Sequence, residues 1–147
     1  MSIFRSIDIS ASGLTAERMR MDVISKNLAN VNTTRTANGN PYRRQTVVFK
    51  AAEEQRSFKD ILSGKQSNMK KGTGVEVVAI KEDQSPFKKV YEPGHPDADK
   101  DGYVMMSNVD SITEMVDMIS ATRAYEANVT AINNSKSMLM KALEIGR

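Results

Sequence analysis

The chain has no cysteine, no tryptophan and one histidine, and aromatic residues make up only 5% of its 147 positions. Each shortage excludes something. Without thiols there is no disulfide, no zinc–thiolate site and no cysteine nucleophile. His95 lies between Gly94 and Pro96. With no second imidazole or nucleophile beside it, it is a poor catalytic centre. Few aromatics make thin material for a thick core. Ten methionines partly compensate, since Met adapts to irregular packed surfaces. No apolar run reaches the roughly 18 residues of a membrane-spanning helix. The N-terminal residues lack a basic region followed by an apolar run, which predicts no cleavable signal peptide. The net charge is +3, but no basic stripe with interleaved aromatics suits nucleic acid.

What is present is helix at both ends and strand between. Residues 3–31 read as one amphipathic helix. Ile7, Leu14, Met21 and Leu28 recur every seven residues, with Ile3, Ile24 and Val31 on the adjacent seam. This narrow stripe suits another helix. Gly13 interrupts it, which marks either close helix packing or a tolerated defect. Residues 111–145 read as a second helix. "SITE" (Ser111 to Glu114) has the form of a capping box, with Ser111 as cap and Glu114 reaching back. Met115, Met118, Tyr125, Val129, Ile132, Leu139 and Leu143 then follow heptad spacing, with Thr122 and Lys136 as its weak points. Ala121, Ala124, Ala127 and Ala131 give a second face of small residues.

The middle of the chain reads as strands over 43–51, 74–82, 86–93 and 102–107. The turn "EDQSP" predicts a hairpin between the second and third. "TANGNP" (Thr36 to Pro41) is a loop, and Phe58 to Gln66 is a helical turn or a loop. The expected fold is therefore α+β. Two long terminal helices (1–32 and 109–147) pair as an antiparallel coiled coil, and a small β-rich insert (33–108) joins them. Such a pair leaves Met and Ala surface outside, which favours an assembly.

Few residues suggest chemistry. "DADKDG" (Asp97 to Gly102) matches the opening of a calcium loop, but position nine is Met105 and position twelve Asn108 where a bidentate Glu belongs. An acidic turn closing a hairpin is the simpler expectation. "KGTG" (Lys71 to Gly74) is too short to cradle phosphate. The pairs Arg43–Arg44, Lys70–Lys71 and Lys88–Lys89 read as a solvated face. No catalytic constellation, metal site or cofactor site emerges, so the chain reads as a non-enzyme.

Two long motifs carry a resemblance. The run "SGLTAERMRMDVISKNLANVNTTRT" contains Ser12, Gly13, Leu14, Ser25, Asn27, Leu28, Ala29, Asn30, Asn32 and Thr33. It resembles the N-terminal signature of the bacterial flagellar rod, hook and hook-associated axial proteins. The segment from Glu114 to Leu143, with Arg123, Ala124, Tyr125, Glu126 and Asn128, resembles the C-terminal signature of that family. "YRRQTVVF" (Tyr42 to Phe49) and "YEPGHPDADKDGYVMMSNVD" (Tyr91 to Asp110), which includes Asp97, Asp99 and Gly102, are similar to its short proximal-rod members. Those members usually carry Pro-Asn-Val where this chain has Ser107-Asn108-Val109, which implies a softer start to the second helix.

The resemblance implies a structural subunit of the basal-body rod, exported without a cleaved signal peptide by the flagellar type III apparatus. It implies helical assembly in the cell envelope with copies of itself and with FlgB, FlgF, FlgG and FliE, and no membrane insertion. The expected assembly interface is Ile7, Leu14, Met21, Ile24 and Leu28 on one helix, and Met115, Met118, Tyr125, Val129, Ile132 and Leu139 on the other. The asparagines Asn27, Asn30 and Asn32 are expected to satisfy the orphan carbonyls at a helix end. Periodicity alone also permits a cytoplasmic coiled-coil adaptor with a small β head.

Overall fold

The computed structural model describes residues 3–52 and 74–145. The sequence reading of Phe58 to Gln66, Lys70–Lys71 and most of "KGTG" lies outside these residues. The element order is α1 (Ile3–Ala29), β1 (Gln45–Ala51), β2 (Val75–Glu82), β3 (Lys88–Tyr91), β4 (Tyr103–Met106) and α2 (Ser111–Ile145). At about 1.5 Å per residue, α1 is roughly 40 Å long and α2 roughly 52 Å. The two helices pack against each other and run antiparallel. Ser6 lies against Ser135, Gly13 against Asn128, Met21 against Thr122, and Asn27 against Glu114.

α1 stops two residues before the sequence-based boundary. Asn30 Nδ2 donates to the Lys26 carbonyl at 2.8 Å, and the Asn30 carbonyl accepts from the Thr33 N–H. These bonds take up carbonyls that the helix end would leave bare. Asn30 thus performs the expected stop. Asn32 is exposed, and Asn27 is drawn elsewhere.

α2 starts differently from expectation. Asp110, not Ser111, is its cap. The Asp110 carbonyl accepts from the Glu114 N–H at 3.0 Å, and its carboxylate accepts from the Thr113 hydroxyl at 2.6 Å. The Thr113 hydroxyl bond, with the Thr113 and Ile112 N–H groups, holds the Asp110 carboxyl below its ordinary value. A charged carboxylate at a helix N-terminus outcompetes a serine hydroxyl for these donors. Glu114 is thereby released from the capping box and turns inward.

The four strands form two separate antiparallel pairs, β1 with β2 and β3 with β4. The hairpin expected between β2 and β3 does not form. The carbonyls of Asp83 and Ser85 that could close it accept instead from Arg43 Nη1 and Asn108 Nδ2. Pro86 follows them and supplies no donor. The loop between β3 and β4 is the acidic turn, and it does close a hairpin. The Gly102 carbonyl accepts from the Glu92 N–H, and the Tyr91 and Tyr103 rings meet edge-on at 5.3 Å.

The β1–β2 ladder, with a register slip between Val48 and Phe49, packs on α1. Its docking point is tight. The Val75 N–H donates to Ser12 Oγ at 3.1 Å, and Gly74 enters β2 at φ 136°. A Cβ at Gly74 would stand 2.2 Å from Ser12 Oγ. That backbone region is open essentially to glycine alone. Gly74→Ala is expected to cost about 1–3 kcal/mol in backbone strain, before any displacement of Ser12 is counted. Urea unfolding followed by circular dichroism reads this directly, and an unchanged midpoint would refute the assigned geometry.

Candidate functional site

The site is the seam between the helices and the polar clamp at its closed end. On α1, Ser6, Gly13, Arg20 and Asn27 recur every seven residues. On α2, so do Glu114, Ala121, Asn128 and Ser135. Three of the pairs given above, Ser6 with Ser135, Gly13 with Asn128 and Asn27 with Glu114, join these two series, and Arg20 of the first approaches Asp117 at 3.7 Å. Glu114, Ala121 and Ser135 are buried, and Ala121 is fully so. Half of the seam therefore consists of small or polar residues. The apolar heptad supplies the other half, through the half-buried Met118, Tyr125, Ile132 and Leu139.

The sequence reading placed the first half one residue too far along, at Met115, Thr122, Val129 and Lys136. Met115 is 49% exposed, and Val129 is half-buried. Of the remaining expected interface residues, Ile24 is buried, Ile7, Leu14 and Met21 are half-buried, and Leu28 is exposed. Gly13 does mark close packing, since a Cβ there would lie 3.1 Å from Asn128 Nδ2.

The clamp centres on Asn27, which is 1% exposed. Its Nδ2 donates to the Gln45 carbonyl at 2.8 Å and to Glu114 Oε2 at 3.0 Å. Its Oδ1 accepts from the Gln45 N–H at 2.9 Å and from the Tyr42 hydroxyl at 3.0 Å. Both donors and both acceptor positions of the amide are used. One side chain thus ties α1, the start of β1 and α2 together. Burial, with the charges of Glu114 and Glu82, raises the Tyr42 pKa and keeps its hydroxyl a donor.

Glu114 is fully buried and receives Arg44 Nε at 2.5 Å, while Arg44 Nη2 donates to Asp117 at 3.1 Å. Burial alone would lower the Arg44 pKa, but the hydrogen bond and charge of Glu114, with Asp117 and Asp83, hold it above its ordinary value. The Arg44 N–H donates to Asn108 Oδ1 at 2.8 Å. Asn108 thus joins β1, the β2–β3 connection and the start of α2. Ser107 is buried and its hydroxyl accepts from the Val109 N–H. The junction lacking proline is held by these bonds and by the fully buried Val109.

Arg43 and Arg44 were expected on a solvated face; both are half-buried and bonded, and Arg43 stacks 4.4 Å from the Phe87 ring centre. Partial burial of these cations is offset by the acceptors they meet, the Asp83 and Ser85 carbonyls at Arg43 Nη1 and the Glu114 and Asp117 carboxylates at Arg44 Nε and Nη2. The clamp borders an open groove of about 360 Å³ lined in part by Arg20, Arg44, Val47, Phe49, Glu114 and Asp117.

Other motif residues serve the same framework. Asp97 links the β3–β4 loop to the segment after α1, accepting from the Thr34 hydroxyl at 2.8 Å with Arg35 at 3.9 Å. Gly102 takes φ 78°, with the Tyr91 ring 2.9 Å from where a Cβ would stand. Thr33 donates to Asn30 Oδ1. Asp99 accepts from the Gly102 N–H through its carbonyl. Ala124 is half-buried, whereas Ser25, Ala29, Arg123 and Glu126 are exposed. Among the described residues, no three acidic or histidine side chains come together as a metal site.

Comparison with known proteins bears on this geometry directly. Residues 7–35, which contain the α1 half of the clamp, match the family model described as flagella basal body rod protein. Residues 100–145 match the one described as flagellar basal body rod FlgEFG protein C-terminal. The chain is 53% identical to the flagellar basal-body rod protein FlgC of Bacillus subtilis, with all of both chains covered. It is 50% identical to that of Borreliella burgdorferi over 99% of this chain and 98% of the other. Identity to that of Salmonella typhimurium is 40%, over all of both chains.

The chain belongs to the FlgC family of flagellar basal-body rod proteins. It is a structural subunit of the basal-body rod. The two segments matched by the family models meet across the helix seam, with Asn27 in one bonded to Glu114 in the other.

Proposed function

We propose that this chain builds the proximal part of the rod, stacking its helix pair on neighbouring subunits. The neighbours are further copies and FlgB, FlgF, FlgG and FliE. The rod so formed passes through the cell envelope and transmits rotation, and the role is structural and non-catalytic. The subunit reaches its place through the flagellar type III apparatus without a cleaved signal peptide.

One observation carries this reading. Half of the helix seam is closed by small and polar residues, and several large apolar side chains stay outside it. On α2 alone, Ile112 is 69% exposed, Val116 57% and Ile119 61%. A contiguous apolar helix face on a subunit marks a surface covered in an assembly. The half-buried Ile7, Leu14, Met21, Met118, Tyr125, Val129, Ile132 and Leu139, with buried Ile24, support the pair, while exposed Leu28 and Met115 are positioned to meet neighbours. The thin core also means that neighbours add packing the monomer lacks, so folding and polymerisation are coupled.

The test is deletion of the gene in its host and electron cryotomography of the envelope. Basal bodies without a rod, restored by the intact gene, are expected. Leu28→Asp changes an exposed position and is expected to be exported yet fail to restore the rod. Complete rods and normal swimming in the deletion strain would favour an adaptor role instead.

A further inference from the structure

The β1–β2 ladder has an outer edge that the fold fills at one end only. In an antiparallel pair, residues that bond across to the partner strand alternate with residues whose N–H and C=O point away from it. The Arg44 carbonyl accepts from the Asp83 N–H, and the Gly74 carbonyl from the Ala52 N–H, which fixes the alternation at both ends of β1. Thr46, Val48 and Lys50 therefore face β2, and Gln45, Val47 and Phe49 face outward. The slip between Val48 and Phe49 leaves this alternation intact, because the additional residue, Val78, is on β2.

Gln45 shows what the outward positions take. Its N–H and C=O are both bonded to the Asn27 side-chain amide, which stands where a neighbouring strand would. The backbones of Val47 and Phe49 have no such partner among the described residues. They border the open groove of about 360 Å³, whose other walls include Arg20 and Val23 of α1 and Glu114 and Asp117 of α2. Arg20 meets Glu17 and Asp117 at 3.9 and 3.7 Å, too far for hydrogen bonds, so its N–H groups can still donate.

We propose that a single extended segment of a different rod subunit adds to β1 at Val47 and Phe49, inside this groove. The proposal rests on the rod reading and adds to it a binding mode in the β insert. Unpaired strand N–H and C=O groups are matched by another extended backbone. Alternate apolar side chains of the segment rest on Val47 and Phe49, and Arg20 donates to one of its carbonyls. α2 walls the groove opposite β1, so a lone segment fits and a two-stranded ladder does not. A second copy has no lone strand to offer among its described residues, since its four strands are already paired.

Residue-resolved amide hydrogen exchange tests this, on the native full-length chain free at low concentration and in isolated basal bodies. In the free chain Val47 and Phe49 are expected to exchange at least about tenfold faster than Thr46 and Val48. In basal bodies all four should be similarly slow. Val47→Pro removes an N–H that the ladder does not use, and edge strands accept proline on that side. It should leave the urea midpoint of the free chain nearly unchanged and lower incorporation into basal bodies roughly fivefold. Phe49→p-benzoylphenylalanine, irradiated in basal bodies, should crosslink to a chain of another mass. Slow exchange at Val47 and Phe49 in the free chain would mean that the chain covers its own edge, and would overturn the proposal. So would crosslinks joining two copies of this chain. If the chain is in basal bodies and both amides stay fast, the strand addition is wrong and the rod reading stands. Absence of the native chain from basal bodies would overturn both together.

Discussion

Glu114→Ala should lower the free energy of unfolding by about 3–5 kcal/mol, the usual effect of removing one partner of a buried ion pair. Glu114 is the most enclosed charged group in the described structure, with 1% of its side chain accessible. Its removal leaves Arg44, 23% accessible, with Asp117 alone, and leaves Asn27 Nδ2 with only the Gln45 carbonyl. It also opens a cavity where α1, β1 and α2 converge. Against a typical total of about 5–15 kcal/mol, this is a large fraction. Urea unfolding of the full chain followed by far-ultraviolet circular dichroism measures it. Glu114→Gln retains the shape and one acceptor, so its loss should be smaller. A cost below about 1 kcal/mol for the alanine variant would mean that the clamp is not a stabilising centre.

Asn27→Asp changes almost no volume, yet it should cost about 3 kcal/mol or more at neutral pH. The substitution deletes both Nδ2 donors. The Gln45 carbonyl and Glu114 Oε2, 2.8 and 3.0 Å away, then face another acceptor that carries a like charge. Burial and Glu114 would both push the new carboxyl group's pKa up. The sign of the pH dependence follows. A carboxyl whose pKa is raised on folding binds its proton more tightly in the native state, so the penalty shrinks as pH falls and grows as pH rises. The native chain trends the other way through Asp110 and Asp83, whose pKa values are lowered by hydrogen bonds from Thr113 and Ser85 respectively. Their contributions are full above the ordinary carboxylate range and fade as pH drops. Unfolding curves for both chains between about pH 5 and 8 should therefore converge on the acid side. Parallel curves would show that Asn27 does not donate to Glu114.

The clamp also accounts for the spacing of the asparagines. A helix stop needs one, and Asn30 supplies it through the Lys26 carbonyl. Asn27 lies one turn earlier and faces inward. Its amide matches a strand N–H, a strand carbonyl, a phenol and a carboxylate at once. Aspartate offers no donor when ionised, and a hydroxyl residue cannot make this full set of bonds.

By itself the sequence determined the two helices, the positions of the four strands and the family. These depend on local signals: apolar spacing, turn residues and a motif whose residue types are visible in the chain. Met118, Tyr125, Ile132 and Leu139 were legible as one half of the seam because burial of large apolar groups leaves a period. The other half was legible only at Ala121, one of the small residues that read as a second face and here fully buried. Glu114, Ala121, Asn128 and Ser135 are small or polar, and nothing in a hydropathy pattern marks a buried glutamate. Its burial is tolerable only because Arg44 and Asn27 reach it, and these lie 70 and 87 residues away in the chain. Strand pairing was decided at the same level. Local turn chemistry favoured β2 with β3, but Arg43 and Asn108 claimed the carbonyls between them, leaving β2 to β1 and β3 to β4. Local propensity fixes which segments are helix or strand. Which polar groups become buried depends on partners that only the tertiary structure brings within hydrogen-bonding reach.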